Sequence, residues 1–278
     1  MEKFSGNTYI CTSIHFKGGV GKTTSTVNCA AKLGKLGYTV LVIDLDSQRN
    51  ATKHISNVPD IDDIDGTLKD IFENYKTINI HDVIQGPDKT NFENVSLIPC
   101  AKNIRDVEIN IQRSSPVPNE IIRSVLRKIK GDFDFILLDC PPRMETLTFN
   151  ALLASNSLLI PLQGEYSIQG LEDILNSMDD LETSNPDLKI LSPVRNFYNK
   201  RNTVDLTLAE DIRNEYAQPK LQEKLVNKEL ICIPNATVFS QASYVKCSVF
   251  DLDAGKETPA KQAINQLVDL MVSEYKKL

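Results

Sequence analysis

No stretch of the chain reaches the roughly 18 uninterrupted apolar residues that a membrane-spanning helix needs, so a helical membrane protein is excluded. The opening Met1-Glu2-Lys3-Phe4-Ser5-Gly6 lacks the basic and then apolar layout of a secretory signal, and the expected compartment is the cytoplasm. The six cysteines, Cys11, Cys29, Cys100, Cys140, Cys232 and Cys247, are scattered without CxxC spacing. In a reducing compartment they read as small buried hydrophobes, with no disulfide frame or zinc site to build. Three histidines, His15, His54 and His81, stand too far apart in sequence to suggest a metal cluster. Internal repeats, low-complexity tracts and heptad runs are missing too. So is an excess of positive charge: 31 Lys and Arg against 37 Asp and Glu leave a formal net charge of −6. That sets aside a protein that is basic all over, while leaving room for a local basic face.

What is present is enough hydrophobic material, 41% of 278 residues, to bury a sizeable core. Apolar, β-branched runs at 9–15, 39–43, 95–99, 133–139, 157–161, 190–194 and 230–233 read as strands. Helical patterns at 23–36, 67–75, 119–129, 167–181, 203–216 and 259–275 lie between and after them. This alternation predicts βαβ units and an α/β fold, with a mainly parallel, twisted sheet carrying helices on both faces. The Pro- and Asp-rich segment 57–65 reads as an exposed loop, so one domain over 1–278 is expected. Only about eight residues precede the first strand, too few for a helix-turn-helix module.

Phe16-Lys17-Gly18-Gly19-Val20-Gly21-Lys22-Thr23-Thr24 falls directly between the first strand and the first helix. Glycines there let backbone N–H groups turn toward phosphate oxygens, and the helix presents its positive end to them. Lys22 supplies a point charge for the β and γ phosphates, and the Thr23 hydroxyl a ligand for Mg²⁺. The strict GxxxxGKT pattern fails, because Phe16 occupies the first glycine position. The surviving KGGxGKT, headed by Lys17, resembles the deviant Walker A motif of the ParA, Soj and MinD family of ATPases. The resemblance implies a P-loop NTPase that uses ATP and Mg²⁺. It also implies that Lys17 reaches across a nucleotide sandwich dimer to the partner subunit's phosphates.

Further segments extend the resemblance over nearly the whole chain. Ile43-Asp44-Leu45-Asp46-Ser47-Gln48 is similar to the family's DxDPQ motif, with Ser47 in the proline position. By that match Asp46 positions the attacking water and Asp44 is its neighbour. Phe133-Asp134-Phe135-Ile136-Leu137-Leu138-Asp139-Cys140-Pro141-Pro142 resembles a Walker B strand, which makes Asp139 the second Mg²⁺ holder. Ile160 to Leu171 looks like the family's fifth strand and helix entry. Asn196 and Pro234 fall where relatives contact adenine. The family also implies an ATP-dependent homodimer, a ParB-like activator that stimulates hydrolysis, non-specific DNA binding with nucleoid association, and a role in positioning or partitioning cargo.

For DNA, the basic residues Arg123, Arg127, Lys128 and Lys130 enrich one helix end, while Lys200, Arg201, Lys224 and Lys246 are the leading candidates in the C-terminal third. Here the sequence departs from its relatives, because Asn235-Ala236-Thr237-Val238 replaces the arginines that commonly follow the Ile-Pro pair. Two alternatives stay in view. A MinD-like, membrane-associated regulator needs an amphipathic segment beyond the domain, and residues 259–275 carry a stripe suited to core packing, so no membrane partner is expected. An iron-sulphur reductase like the nitrogenase iron protein needs two cysteine positions per subunit. Cys100 and Cys140 fall in similar regions but lack the Gly-rich surroundings such a cluster uses.

Overall fold

The computed structural model describes residues 7–252 and 255–278, so the reading of Met1 to Gly6 lies outside the described residues. Among the described residues nine strands are interspersed with helices: β1 (Tyr9–Ser13), β2 (Val40–Asp44), β3 (Val95–Ile98), β4 (Phe135–Asp139), β5 (Ser157–Leu159), β6 (Pro161–Leu162), β7 (Lys189–Ile190), β8 (Val194–Tyr198) and β9 (Ile231–Pro234). Six form one sheet in the order β3-β2-β4-β1-β5-β7, and β6-β8-β9 form a second. Every pairing between these strands is parallel. Ser13 and Asp44 both register with Asp139, so the carboxyl ends of β1, β4 and β2 finish level. In open α/β sheets that edge is where ligands bind.

β2 and β4 are buried along their whole length, as strands covered on both faces must be. Their side chains divide by alternation. Leu41, Ile43, Ile136 and Leu138 join Ile104, Ile121, Leu147 and Ile174 in one core layer. Val40, Val42, Phe135 and Leu137 join Val27, Leu33, Ile264 and Leu267 in the other. The expected α/β fold with helices on both faces is therefore the observed one.

Two expected strands are broken. The 157–161 run divides at Ile160 into β5 and β6, and the 190–194 run divides into β7, which pairs with β5, and the start of β8, which pairs with β6 and β9. Pro193 sits at the second break, and without an N–H it cannot continue a ladder. The 119–129 helix is shorter than expected, running Ile121–Leu126 before a 3₁₀ turn at Arg127–Ile129. Thr203–Tyr216 and Pro259–Tyr275 keep their expected bounds, each with a side chain at the N-cap: Asn202 accepts from the Val204 N–H and Thr258 from the Lys261 N–H. Helices at Asn50–Ile55, Ile104–Ser114, Thr146–Ala154, Pro219–Lys224, Thr237–Tyr244 and Val249–Leu252 were not expected. Among the described residues no helix is long and apolar enough to cross a membrane.

Candidate functional site

The loop from β1 into the Lys22–Lys35 helix sits at the level carboxyl edge of the sheet. Gly19 and Gly21 have φ of 76° and 99°, a left-handed backbone that any larger residue would adopt at a cost. Gly21 is required twice, since a Cβ there would fall 1.9 Å from Asn196 Nδ2. That amide donates to the Val20 carbonyl at 2.6 Å and ties β8 to the loop. Cβ atoms on Gly18 and Gly19 would meet nothing within 4 Å, so the space in front of the loop is open.

Lys22 is almost fully buried, and its ammonium group donates to the carbonyls of His15 at 2.9 Å and Lys17 at 3.2 Å. Burial lowers its pKa, against which Asp139, Cys140 and Asp46 pull upward. Thr23 Oγ1 donates to Asp139 Oδ2 at 2.6 Å. Burial and then the neighbouring Asp44 push the Asp139 carboxyl up to about 8, partly offset by Thr23 and Lys22. A cation beside Thr23 and Asp139 would restore that carboxyl's charge, and a hydroxyl paired with a carboxylate is the donor set that Mg²⁺ prefers.

Asp44 and Asp46 separate in role. Asp44 is fully buried and accepts from the Thr52 N–H at 2.8 Å, the Thr52 hydroxyl at 2.7 Å and the Asp46 N–H at 3.0 Å, which fixes the loop after β2. Its carboxyl is pushed up to about 6, mainly by burial. Asp46 is half-buried and accepts from the Gln48 N–H at 3.0 Å. It lines a cavity of about 570 Å³ together with Gly18, Gly21, Lys22 and Thr23. Pro142, Phe197, Tyr244 and Lys246 also line this cavity.

The structure thus gathers Lys22, Thr23 and Asp46 around one space, with the buried Asp139 hydrogen-bonded to Thr23. Lys17 is exposed and is not among the described residues lining the cavity. Asn196 and Pro234 are not among them either: Asn196 holds the loop from behind, Pro234 ends β9, and the lining residue beside them is Phe197. Of the residues considered for DNA, Arg123, Arg127 and Lys130 line one cavity, whereas the four leading candidates do not share one. Lys200 and Arg201 are exposed in the turn before the Thr203–Tyr216 helix, Lys224 lies with Glu172, Asp179 and Glu215, and Lys246 lines the cavity of the Gly-rich loop.

Sequence reasoning missed His15. Its buried ring accepts from the Lys17 N–H at Nδ1 (2.9 Å) and meets the Ser167 carbonyl at Nε2 (3.0 Å). The two contacts assign Nε2–H as the tautomer. A Cβ on Gly170 would come within 2.9 Å of this ring, which explains the glycine. Only the position of His15 next to the loop hinted at the link.

A family model described as an AAA domain matches residues 8–190. The sporulation initiation inhibitor protein Soj of Bacillus subtilis is 31% identical over 77% of this chain and 82% of its own length. The chromosome partitioning protein ParA of Myxococcus xanthus is 30% identical, with 80% and 75% covered. Among solved structures, the septum site-determining protein MinD of Pyrococcus horikoshii, complexed with Mg-ADP, superposes with a TM-score of 0.70 at 26% identity, covering 94% of this chain and 95% of that one. The chain belongs to the ParA/MinD superfamily of P-loop ATPases.

Proposed function

We propose that this member of the ParA/MinD superfamily is a ParA-type ATPase switch: it binds Mg-ATP, dimerises around two nucleotides, binds DNA without sequence preference, and positions or partitions a cargo whose ParB-like protein triggers hydrolysis. The observation that carries the reading is the convergence of Lys22, Thr23 and Asp46 on one cavity, with Asp139 hydrogen-bonded to Thr23 behind it.

Each residue has a chemical task. The Gly18 to Gly21 turn and the helix start offer N–H donors to the phosphates. Lys22 neutralises the phosphate chain, having carbonyls as its present partners and no carboxylate in an ion pair among the described residues. Thr23 and Asp139 would hold Mg²⁺, which when bound draws charge from the phosphate oxygens. Asp46, fixed by its own loop, orients the attacking water. Lys17, exposed at the head of the loop, would serve a partner's phosphates.

ParA and Soj relatives favour this reading, and the structure adds an observation against membrane docking by the last helix. Ile264, Leu267, Val268, Met271 and Tyr275, the apolar stripe of Pro259–Tyr275, are buried in the core. Cys100 and Cys140 are buried as well, and burial raises both thiols, which disfavours the thiolates that an iron-sulphur cluster needs.

Two substitutions separate binding from chemistry. Lys22→Ala removes charge from the bound state, so titration calorimetry with Mg-ATP should show no binding. Asp46→Ala should bind ATP normally and hydrolyse it about a hundredfold more slowly, the scale of a lost water-positioning group. Equal loss of binding in both variants would refute this division of labour.

A further inference from the structure

Lys246 follows the Thr237–Tyr244 helix in a left-handed backbone conformation, φ 55°, and is half-buried. Of the lysines that line the cavity, Lys22 donates to the carbonyls of His15 and Lys17, and Lys53 donates to the Gln48 carbonyl at 2.9 Å. Lys246 has no such acceptor and no ion pair among the described residues. Asp46 is the one carboxylate among the described residues of the lining. A lysine whose stem is half-buried at the cavity and whose ammonium group has no protein acceptor among the described residues is available to pair with an anion bound there.

The segment carrying Lys246 is anchored on both sides of the site. The buried His54, on the helix that follows the Asp46 loop, contacts the Cys247 carbonyl through Nε2 at 2.8 Å. The Val249 N–H donates to Asn28 Oδ1 at 2.9 Å, and Lys35 pairs with Asp251 at 2.6 Å, both joining the segment to the Lys22–Lys35 helix. Lys246 is therefore carried between the two elements that hold the Gly-rich loop and Asp46, next to the exposed Tyr244 and Val245.

We propose that Lys246 binds the phosphate chain of the nucleotide in its own subunit, and is not a contact to DNA phosphates. The proposal rests on the nucleotide-binding reading above and adds a cation to it. Equilibrium titration with a fluorescent ATP analogue and Mg²⁺ tests it, followed by binding of an unrelated DNA duplex with every protein saturated in ATP. Lys246→Ala should weaken nucleotide binding about tenfold, the worth of one charge-assisted contact, and Lys246→Arg should restore most of it. Rescue by arginine separates lost charge from misfolding. At saturating ATP the alanine variant should bind DNA as the wild type does. Unchanged nucleotide affinity in Lys246→Ala, or a loss of DNA binding that persists at saturation, would overturn the assignment. A wild type that binds no nucleotide would instead remove the functional reading beneath it.

Discussion

At the scale of the residue, chemistry and scaffolding divide between neighbours that look alike in sequence. Asp44 and Asp46 share one motif, yet one spends its oxygens on Thr52 and the Asp46 N–H while the other faces the cavity. The loop and the carboxylates beside it were legible because phosphate binding dictates residue types at fixed spacing. The roles of His15 and Asn196 were not, because each acts through a partner more than a hundred residues away, Ser167 and Val20 respectively. His15 gives a pH prediction. Burial lowers its pKa below 6.5, so between the folded and unfolded values the unfolded chain binds more protons than the native one. Stability from this group is complete above about pH 6.5, the unfolded value, and is lost as the pH falls below it. His54, lowered by burial in the same way, acts in the same direction. Urea unfolding of His15→Asn across pH 5 to 7.5 should show a flatter dependence than the wild type; an unchanged slope would deny His15 that share.

At the scale of the element, two helices with side-chain caps are legible to their observed bounds, whereas Lys22–Lys35 and Tyr166–Asp180, which have no side-chain cap, lie one residue from the expected bounds at each end. Asn202 and Thr258 mark their helix starts in the sequence, and both helices fall at the expected bounds. Asn50–Ile55 has no side-chain cap at all and exists because Asp44 reaches over to Thr52. The split of the 190–194 run was hidden for a related reason. Pro193 lay inside an apolar run that reads as one strand, and only the packing of two sheets reveals the change of partner. The Pro259–Tyr275 helix is the element on which the second core layer closes, with Leu267 fully buried. Leu267→Ala should therefore destabilise the protein by about 2–5 kcal/mol, read as a lower urea midpoint with an unchanged slope. A loss under about 1 kcal/mol would mean that this helix is not integral to the core.

At the scale of the whole molecule, the parallel sheet brings the ends of β1, β2 and β4 level, and the Gly-rich loop, Asp46 and Asp139 follow from that register. Among the leading candidates for DNA, Lys200 and Arg201 are exposed in a turn, and Lys224 and Lys246 line different cavities. If the ATP form binds DNA through the first two, the affinity should require ATP, fall steeply with salt, and weaken when Lys200 and Arg201 are replaced together. Binding that ignores salt would point to another kind of contact.

The central claim is a switch whose ATP state is a dimer joined through the lysine at the head of the loop. Light scattering after size exclusion, with ATP and Mg²⁺, measures it most directly, and Asp46→Ala as the background keeps the nucleotide intact. The account predicts a dimer in that background and a monomer when Lys17→Ala is added, with both proteins still binding ATP. A dimer of undiminished strength without Lys17, or a monomer throughout at saturating ATP, would contradict it.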